Sequence, residues 1–574
     1  MAMSGDGMTT DDAAPKKPKT QDIFRSLRHR NTRAMFMLGF AAGLPYVLIT
    51  GTLLAWFTNE GIDVKTIGVF SWVTIILGFK FLWAPAIDRM PAPKFFNMDQ
   101  RRAGILALQA VIILLLGVIS FADPQTQLGW IAIAAVTCTI AFSSQDVLID
   151  AWRIEVADEN VSIDILSSVY QIGYRLAAIL GGAGALIIAA RIGWNNTFIV
   201  LAGLMTLAVS GVFLAVNSPV RRQDDRLVDE ENIPLRRRNI VLIAILAAWV
   251  GSFYAIFSFM GFALTSPDEA DARAFTRETG PIIVLASVIA PVVAAAMMLR
   301  WKNATPRAGE TTPWRFQSVL DIFYGAILAP MIDIVKRLRY AAILVLAVAL
   351  TYRFVDLIWG AFAYPFYLGE NFGALGHSLD EVAVASKLFG TLMTFLGIGV
   401  GAAAIIRFGR MPCLFVGAIL AAATNLLFAD LASGAAVTDG FMSATGLYGA
   451  FSIFQPLADF LRLDVTMNES LARLMMCIAA ENLAVGFASA AIVVYLSSIV
   501  NPKFAAVQYA LLASLSMLIG SLGRGAMGEL VEERGFAFVF YLTAAMGLVA
   551  VVVTAIEWVR QSKAGAPTSA SDQA

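Results

Sequence analysis

The chain has 574 residues, 58% of them hydrophobic and only 15% charged, with 42 basic and 42 acidic side chains. Soluble globular chains carry about 25% charged residues, so this composition excludes an ordinary soluble domain, and the zero net charge gives no basis for binding nucleic acid. Apolar runs recur along the whole length, and each is long enough to cross a hydrocarbon layer of about 30 Å as a helix. The sequence therefore predicts an all-α, multi-pass protein of the bacterial inner membrane.

The first half of the chain is predicted to form one six-helix bundle. It follows a polar tail, 1–32, that lacks the apolar core of a signal peptide. The bundle occupies 33–217, with spans near 33–58, 66–86, 103–122, 128–152, 165–190 and 195–217. A charged cytoplasmic linker, 218–239, separates it from two additional spans within 240–300, near 240–264 and 281–300. A partly amphipathic linker, 301–338, then leads to the second half.

The second half, 339–559, is predicted to form another six-helix bundle. Its spans lie near 339–368, 381–406, 412–431, 471–499, 504–527 and 536–558, and a polar tail of 560–574 is expected to be disordered. This gives about fourteen transmembrane helices. The apolar stretch 440–460 could cross the membrane as well, but crossing there would place Arg560 outside. We therefore expect it to lie on the outer surface as a loop helix.

Basic residues set the orientation, because short loops rich in Lys and Arg favour the cytoplasm. Such loops flank the first span, join spans two and three, and fill the 218–239 linker, so both termini are predicted to be cytoplasmic. "IDRMPAPKFF" from Ile87 and "FGRMPCLFV" from Phe408 share Arg-Met-Pro at the same joint of the two halves. This weak repeat favours two related six-helix halves, as in major facilitator transporters.

Several stretches carry a family resemblance. "FAAGLPYVLITGTLLAWF", "SSQDVLIDAWRIEV" and "YRLAAILGGAGALIIA" resemble the first half of the AmpG muropeptide permeases, and "SKLFGTLMTFLG" and "ENLAVGFASAAIVVYL" resemble the second half. The resemblance implies a major facilitator fold and import of N-acetylglucosaminyl-anhydro-N-acetylmuramyl peptides from periplasm to cytoplasm, driven by the proton gradient. It also implies a role in peptidoglycan recycling and, through it, in β-lactamase induction and antibiotic resistance.

The resemblance leaves an alternative open. Family members often carry two extra spans at the C-terminus, whereas here the pair lies between the halves. A carrier of another large anionic metabolite, such as acetyl-coenzyme A, is the alternative. We expect a monomer in the lipid bilayer, with protons and an anhydromuropeptide as partners, no cofactor and no metal. An enzyme is not expected, because no nucleophile with a neighbouring base was found in the spans.

The end of the fourth span, "SSQDVLID", holds the first candidate site. A charge at the centre of a transmembrane helix costs roughly 2.5–3.5 kcal/mol, so such residues usually face a cavity or a partner. Spacings of four and three put Asp146, Asp150 and Arg153 on one helix face. Gln145 and Asp146 are predicted to bind substrate or, for Asp146, the proton. The alternative for Asp150 and Glu155 is a conformational latch, with Arg153 or Arg89 as the cation. Asp88 and Arg89 also resemble the loop signature of the major facilitator superfamily, which implies that they belong to the latch.

Mid-span cations suggest a site for an anionic substrate. Arg175 lies near the middle of the fifth span, with Tyr174 beside it and Gln171 one turn before. A guanidinium can hold a carboxylate bidentately, although Arg175 could instead pair with Asp146. Lys80 and Lys387 each lie in the second span of their half and are candidates for either substrate contact or structural pairing.

The second half offers candidates for proton coupling. Glu481 lies inside the tenth span of the twelve that form the halves, with Asn482 beside it as a candidate substrate contact. A carboxylate shielded from water can load and release a proton near neutral pH, so Glu481 and Asp356 join Asp146 as proton-coupling candidates. The alternative for Glu481 is a permanent pair with Arg353 or Lys387.

Overall fold

The protein is described by a computed structural model that covers residues 29–84, 87, 98–158, 161, 163–218, 233, 235–301, 319–460, 462–501, 508, 512 and 517–563. In this part of the chain twelve helices are long and apolar enough to cross a membrane. With one shorter helix, α2, they are numbered in chain order: α1 Arg30–Asn59, α2 Val64–Phe79, α3 Gln100–Ser120, α4 Pro124–Glu155, α5 Ile165–Ile192, α6 Trp194–Leu214, α7 Arg236–Thr265, α8 Gly280–Arg300, α9 Ala341–Leu368, α10 Leu379–Phe408, α11 Arg410–Ala432, α12 Glu469–Ile499 and α13 Met517–Lys563.

These helices confirm the predicted all-α, multi-pass class. The last helix is broken at Gly535, whose φ of 79° leaves the helical region, and a glycine tolerates this backbone because it has no Cβ. When α13 is divided there, each of the fourteen predicted spans overlaps a described helix, and the span predicted at 504–527 is described as a continuous helix only from Met517 onward. α1 to α6 form one half, α9 to α13 form the other, and α7 and α8 are the additional pair.

Small residues let helices within each half pack backbone to backbone. A Cβ on Gly39 of α1 or Gly173 of α5 would clash with the facing backbone, and the same holds for Gly397 of α10 and Gly486 of α12. These glycines therefore mark the places where helices of one half approach most closely.

The bundle has two ends, which we name by the direction of α1. The distal end is the one where α1 ends and α2 begins, and the proximal end is the one where α1 begins. The segment between α11 and α12 is divided into short helices, including Ala436–Thr445, Leu447–Phe451 and Gln455–Phe460. Ala432 lies against Gly373, and Asp464 bonds to Asp380, so the segment starts and finishes at the distal end. It does not add a fifteenth span.

The additional pair contacts both halves. α7 packs on α2 and α4, and the short helix Ala272–Glu278 that follows α7 packs on α13. α8 packs on Ala329–Leu338 at the proximal end. That short helix is anchored to the second half by Asp333, which accepts hydrogen bonds from Gln508 at 2.7 Å and Asn501 at 2.9 Å.

Candidate functional site

The candidate site is the space between the two halves, about midway along the helices. α4 and α5 supply its side in the first half, and α10 and α12 supply its side in the second half. These helices carry most of the residues predicted from sequence, and the structure places them in four groups.

The first group contains Gln145 and Asp146, which point in different directions. Gln145 is fully buried, and its Nε2 donates to Ala41 O of α1 at 3.1 Å. Asp146 is only partly buried and accepts a hydrogen bond of 3.5 Å from the Tyr170 hydroxyl of α5. Asp146 is therefore the member of the pair that a ligand between the halves could reach, whereas Gln145 joins α4 to α1.

The second group is the predicted latch at the proximal end. Arg153 binds Asp150 at 2.8 Å, and its guanidinium lies 5.4 Å from the centre of the Tyr170 ring. Glu155 pairs at 3.0 Å with Arg101 of α3. The sequence had suggested Arg153 or Arg89 as its partner, but Arg153 is engaged by Asp150, one turn earlier on the same helix. Asp88 and Arg89 lie outside the described residues.

Lys80 links the first two groups electrostatically. It interacts with both Asp146 and Asp150, although no carboxylate in the described part of the chain lies within 4.0 Å of its ammonium. A cation near two carboxylates partly offsets their charge without forming a close ion pair with either. This arrangement leaves Lys80 able to meet an anionic ligand.

The third group surrounds Arg175. Arg175 and Gln171 are exposed on one face of α5, and the guanidinium carbon of Arg175 lies 5.4 Å from the Phe395 ring centre on α10. Arg175 thus reaches across the gap to the other half. Its predicted alternative, an ion pair with Asp146, is not found among the described residues. Tyr174 packs against Tyr46 of α1, with ring centres 6.2 Å apart.

The fourth group is on the second half. Glu481 accepts a hydrogen bond of 2.8 Å from Trp359 Nε1, and no cation in the described part of the chain lies within 4.0 Å of it. Arg353 instead binds Asp356 at 3.6 Å. The permanent pair suggested for Glu481 is therefore not found. Asn482 accepts a bond of 2.8 Å from Thr394, which joins α12 to α10.

Lys387 lies where the halves touch. Its ammonium is 4.8 Å from the Tyr364 ring centre, and a Cβ on Gly182 of α5 would lie 3.3 Å from its Cδ. Lys387 belongs to a π-helical turn, Ala383–Phe389, that faces another, Leu180–Gly184, which in turn packs on Leu48–Thr52 of α1. π-helical turns occur frequently at functional sites, and no sequence pattern predicted these turns.

The distal end of the gap is closed by bonds that sequence reasoning missed. Asp380 of α10, nearly buried, receives two bonds of 3.0 and 3.1 Å from Arg191 of α5. Arg524 Nη1 donates to Thr74 of α2 at 2.8 Å.

Two glutamates of α13 cap helices that belong to other parts of the protein. Glu532 accepts a bond of 2.8 Å from Lys65 N at the start of α2, and Glu529 accepts bonds from the first amides of Ala272–Glu278. A carboxylate is favourable at a helix N-terminus because the free amides there carry partial positive charge. The acidic run in "GELVEERG" was the available signal.

The hydrogen bonds and ion pairs that join a described residue of one half to a described residue of the other lie toward this distal end. The proximal pairs, Arg153 with Asp150 and Arg101 with Glu155, stay within the first half. The described bonds therefore hold the halves together on one side of the candidate site only.

Comparison with solved structures defines the class. No family model matches the chain. PepTSo, a transporter of the POT family, superposes with a TM-score of 0.54 at 13% sequence identity, covering 96% of this chain and 99% of that chain. A likeness at this identity shows the fold alone. Together with the spanning helices, it makes the protein a multi-pass membrane protein with the major facilitator fold.

Sequence relatives specify the protein further. The anhydromuropeptide permease of Escherichia coli strain K12 is 37% identical over 199 residues, which are 34% of this chain and 39% of that relative. A Rickettsia felis protein named "Putative transporter AmpG 4" is 23% identical over 521 residues, 90% of this chain and 94% of the relative. The chain is a homologue of proteins named AmpG or anhydromuropeptide permease, although it spans less than half the length of the Escherichia coli relative. These relatives are named as permeases or transporters, which agrees with the interpretation that the chain is not an enzyme.

Proposed function

We propose that this transporter imports N-acetylglucosaminyl-anhydro-N-acetylmuramyl peptides from the periplasm into the cytoplasm, coupled to protons and by alternating access. The sequence relatives support the substrate class through their names. The arrangement of charges between the halves supports a large anionic substrate.

Arg175 is the observation that carries this proposal. It faces the gap, contacts Phe395 of the opposite half and has no carboxylate within 4.0 Å in the described part of the chain. A charge near the middle of a membrane-spanning helix is costly without a partner, so a ligand carboxylate would stabilise it. Lys80 and Lys387 would meet further anionic groups of the substrate, and Gln171 and Tyr174 would contact its sugars. The peptide and muramyl carboxylates provide the matching charges.

Proton coupling is assigned to a carboxylate in each half. Asp146 has a tyrosine hydroxyl as its described hydrogen-bond partner, and Glu481 has an indole N–H. Neither donor is a cation, so each carboxylate can bind a proton without breaking an ion pair. Asp356 is the weaker candidate because Arg353 already lies 3.6 Å away.

The direction of opening follows from the predicted orientation. Basic loops place the proximal end and both termini in the cytoplasm, so the distal end faces the periplasm. A distal end closed by Arg191 and Asp380 then corresponds to a state closed to the periplasm. Substrate entry requires this pair to separate, and the proximal latch would hold the opposite state.

The direct test is uptake of purified anhydromuropeptides into proteoliposomes, with and without an inward proton gradient. We expect accumulation only with the gradient, and competition by unlabelled anhydromuropeptide but not by acetyl-coenzyme A. Competition by the coenzyme A ester alone would favour the alternative substrate. A reporter fused after Arg560 tests the orientation separately, and a periplasmic signal would overturn it.

A further inference from the structure

Two apolar cavities flank the distal part of α4, outside the candidate substrate site. The larger has a volume of about 840 Å³ and lies between α4 and α7, and the smaller has about 430 Å³ and lies between α4 and α3. Trp130, Ile133 and Thr137 of α4 line both cavities and form the ridge between them. The larger cavity exists because α7, one of the additional pair, stands beside α4.

The walls are apolar and the rim is polar. Val136 of α4 and Phe257, Met260 and Leu264 of α7 line the larger cavity, and Leu115, Val118 and Phe121 of α3 line the smaller one. At the distal rim lie Asp63, Gln125, Thr126 and Gln127. Gln127 borders both cavities, so the two apolar grooves start from one polar rim. This is the shape of a site for an amphiphile with one polar head and two chains.

The depth of the grooves matches one leaflet. From Gln127 at the rim, where the backbone of α4 departs from helical geometry, to Thr137 at the deepest point there are ten helical steps, which is about 15 Å at 1.5 Å per residue. One leaflet contributes about 15 Å, half of a hydrocarbon core of about 30 Å. The grooves therefore extend from the head-group level through the chains of a single leaflet.

The charge at the rim selects the head group. Asp63 is exposed, and its Oδ1 accepts the Thr66 amide at the start of α2. The Asp63 carboxylate complements an ammonium group. Lys65, whose ammonium donates to the rim residue Pro267 at 3.0 Å, complements the phosphate of the same zwitterionic head group. The volume of the larger groove also lies within the range of about 300–1,000 Å³ typical of small-molecule sites.

We propose that these grooves hold one phospholipid of the distal leaflet, with a primary-amine head group at Asp63 and one acyl chain on each side of Trp130. The lipid fills the space between the additional helix pair and the first half. The site is independent of the substrate between the halves, so its test does not depend on the proposed function.

Two glycines of α7 provide a matched pair of variants. Gly261 lines the larger groove and Gly251 does not, and a Cβ on either would meet no atom within 4 Å. Gly261→Phe therefore fills the groove without a clash, and Gly251→Phe adds the same side chain to the same helix elsewhere. Thr137→Phe, from the opposite wall, is a second variant.

The experiment is native mass spectrometry of the full chain released from detergent after incubation with phosphatidylethanolamine or phosphatidylglycerol. We expect wild type and Gly251→Phe to retain one phosphatidylethanolamine, and Gly261→Phe and Thr137→Phe to lose it. Asp63→Asn, which keeps a helix-capping side chain, should remove the preference over phosphatidylglycerol. Equal retention by all variants, or no retention by wild type, would overturn the site. Equal binding of both lipids by wild type would overturn the head-group assignment.

Discussion

The pair formed by Arg191 and Asp380 should control opening of the distal end, and Asp380→Asn tests this directly. Asp380 accepts three described hydrogen bonds, two from Arg191 at 3.0 and 3.1 Å and one from Asp464 N at 2.9 Å. The substitution removes the carboxylate charge and keeps the size of the side chain. It should therefore weaken the closed state without disturbing the fold of either half.

The free energy lost in Asp380→Asn can be estimated from the burial of the two side chains. A hydrogen bond that involves a charged group contributes about 1.5–3 kcal/mol. The Asp380 side chain is only 5% exposed, but that of Arg191 is 40% exposed, so solvent screening favours the lower end of this range. A loss of about 1.4 kcal/mol shifts an equilibrium tenfold. We expect the population open at the distal end to rise by roughly an order of magnitude.

Distance measurements between spin labels would detect this shift. Phe121 in the first half and Val437 in the second are exposed near the distal end, and the three native cysteines are buried, so cysteines introduced there can be labelled selectively. We expect Asp380→Asn and Arg191→Gln each to populate longer distances, and the double variant to add little. Asp439→Asn is the control, because its partner Arg473 lies in the same half. An unchanged distribution in Asp380→Asn would refute the reasoning.

Three further predictions concern the site and its support. Arg175→Ala should abolish uptake and leave the purified protein folded, and wild-type apparent affinity in this variant would show that Arg175 does not hold a substrate carboxylate. Asp146→Asn should remove gradient-driven accumulation, whereas Asp150→Asn should only slow transport, because its pair with Arg153 is half-exposed and such pairs contribute about 0–1 kcal/mol. Equal, mild effects of the two would contradict the distinction. Burial alone would raise the pKa of Asp333, but hydrogen bonds from Gln508, Arg337 and Asn501 hold it below the ordinary value. The stability that Asp333 gives to the docked helix Ala329–Leu338 is thus present at neutral pH and is lost only as the pH falls below about 4. Hydrogen exchange of this helix should show acid-induced loosening in wild type and none in Asp333→Asn.

Much of the fold was predictable because a segment that crosses the membrane must bond its own backbone groups as a helix and must be apolar along its length. The positions of the spans follow from that constraint, whereas the division into halves was inferred from the weak Arg-Met-Pro repeat. Two features did not follow. α2 contains a 3-10 turn at Ser71–Thr74, and α13 continues through Gly535 as two helices joined without a loop. Both are departures from regular helix geometry, which hydropathy does not encode.

The candidate site was predictable only in its composition. The sequence identified Asp146, Arg175 and Glu481 as charges inside spans, but it did not predict which residues they contact. The ion pairs suggested for Arg175 and Glu481 are not found in the described part of the chain, and Glu155 binds Arg101 on a neighbouring helix. Pairing depends on which helix faces are adjacent. The helical periodicity of a sequence shows which residues share a face of one helix, but it does not show which other helix packs against that face.

The cost of placing a charge inside the membrane also explains why the sequence did not predict the bonds that close the distal end. A charge at the middle of a span costs roughly 2.5–3.5 kcal/mol, so it stands out in the sequence and demands a reason. Arg191, Asp380 and Glu532 lie near helix ends, where water is close and charge is inexpensive, and they resemble ordinary loop residues. Yet a carrier must bind its substrate in the middle and regulate access at the ends. A sequence pattern therefore identifies charged residues in the middle of a span more readily than charged residues at helix ends. The pairing of Arg191 with Asp380 becomes visible only when the structure brings the two halves together.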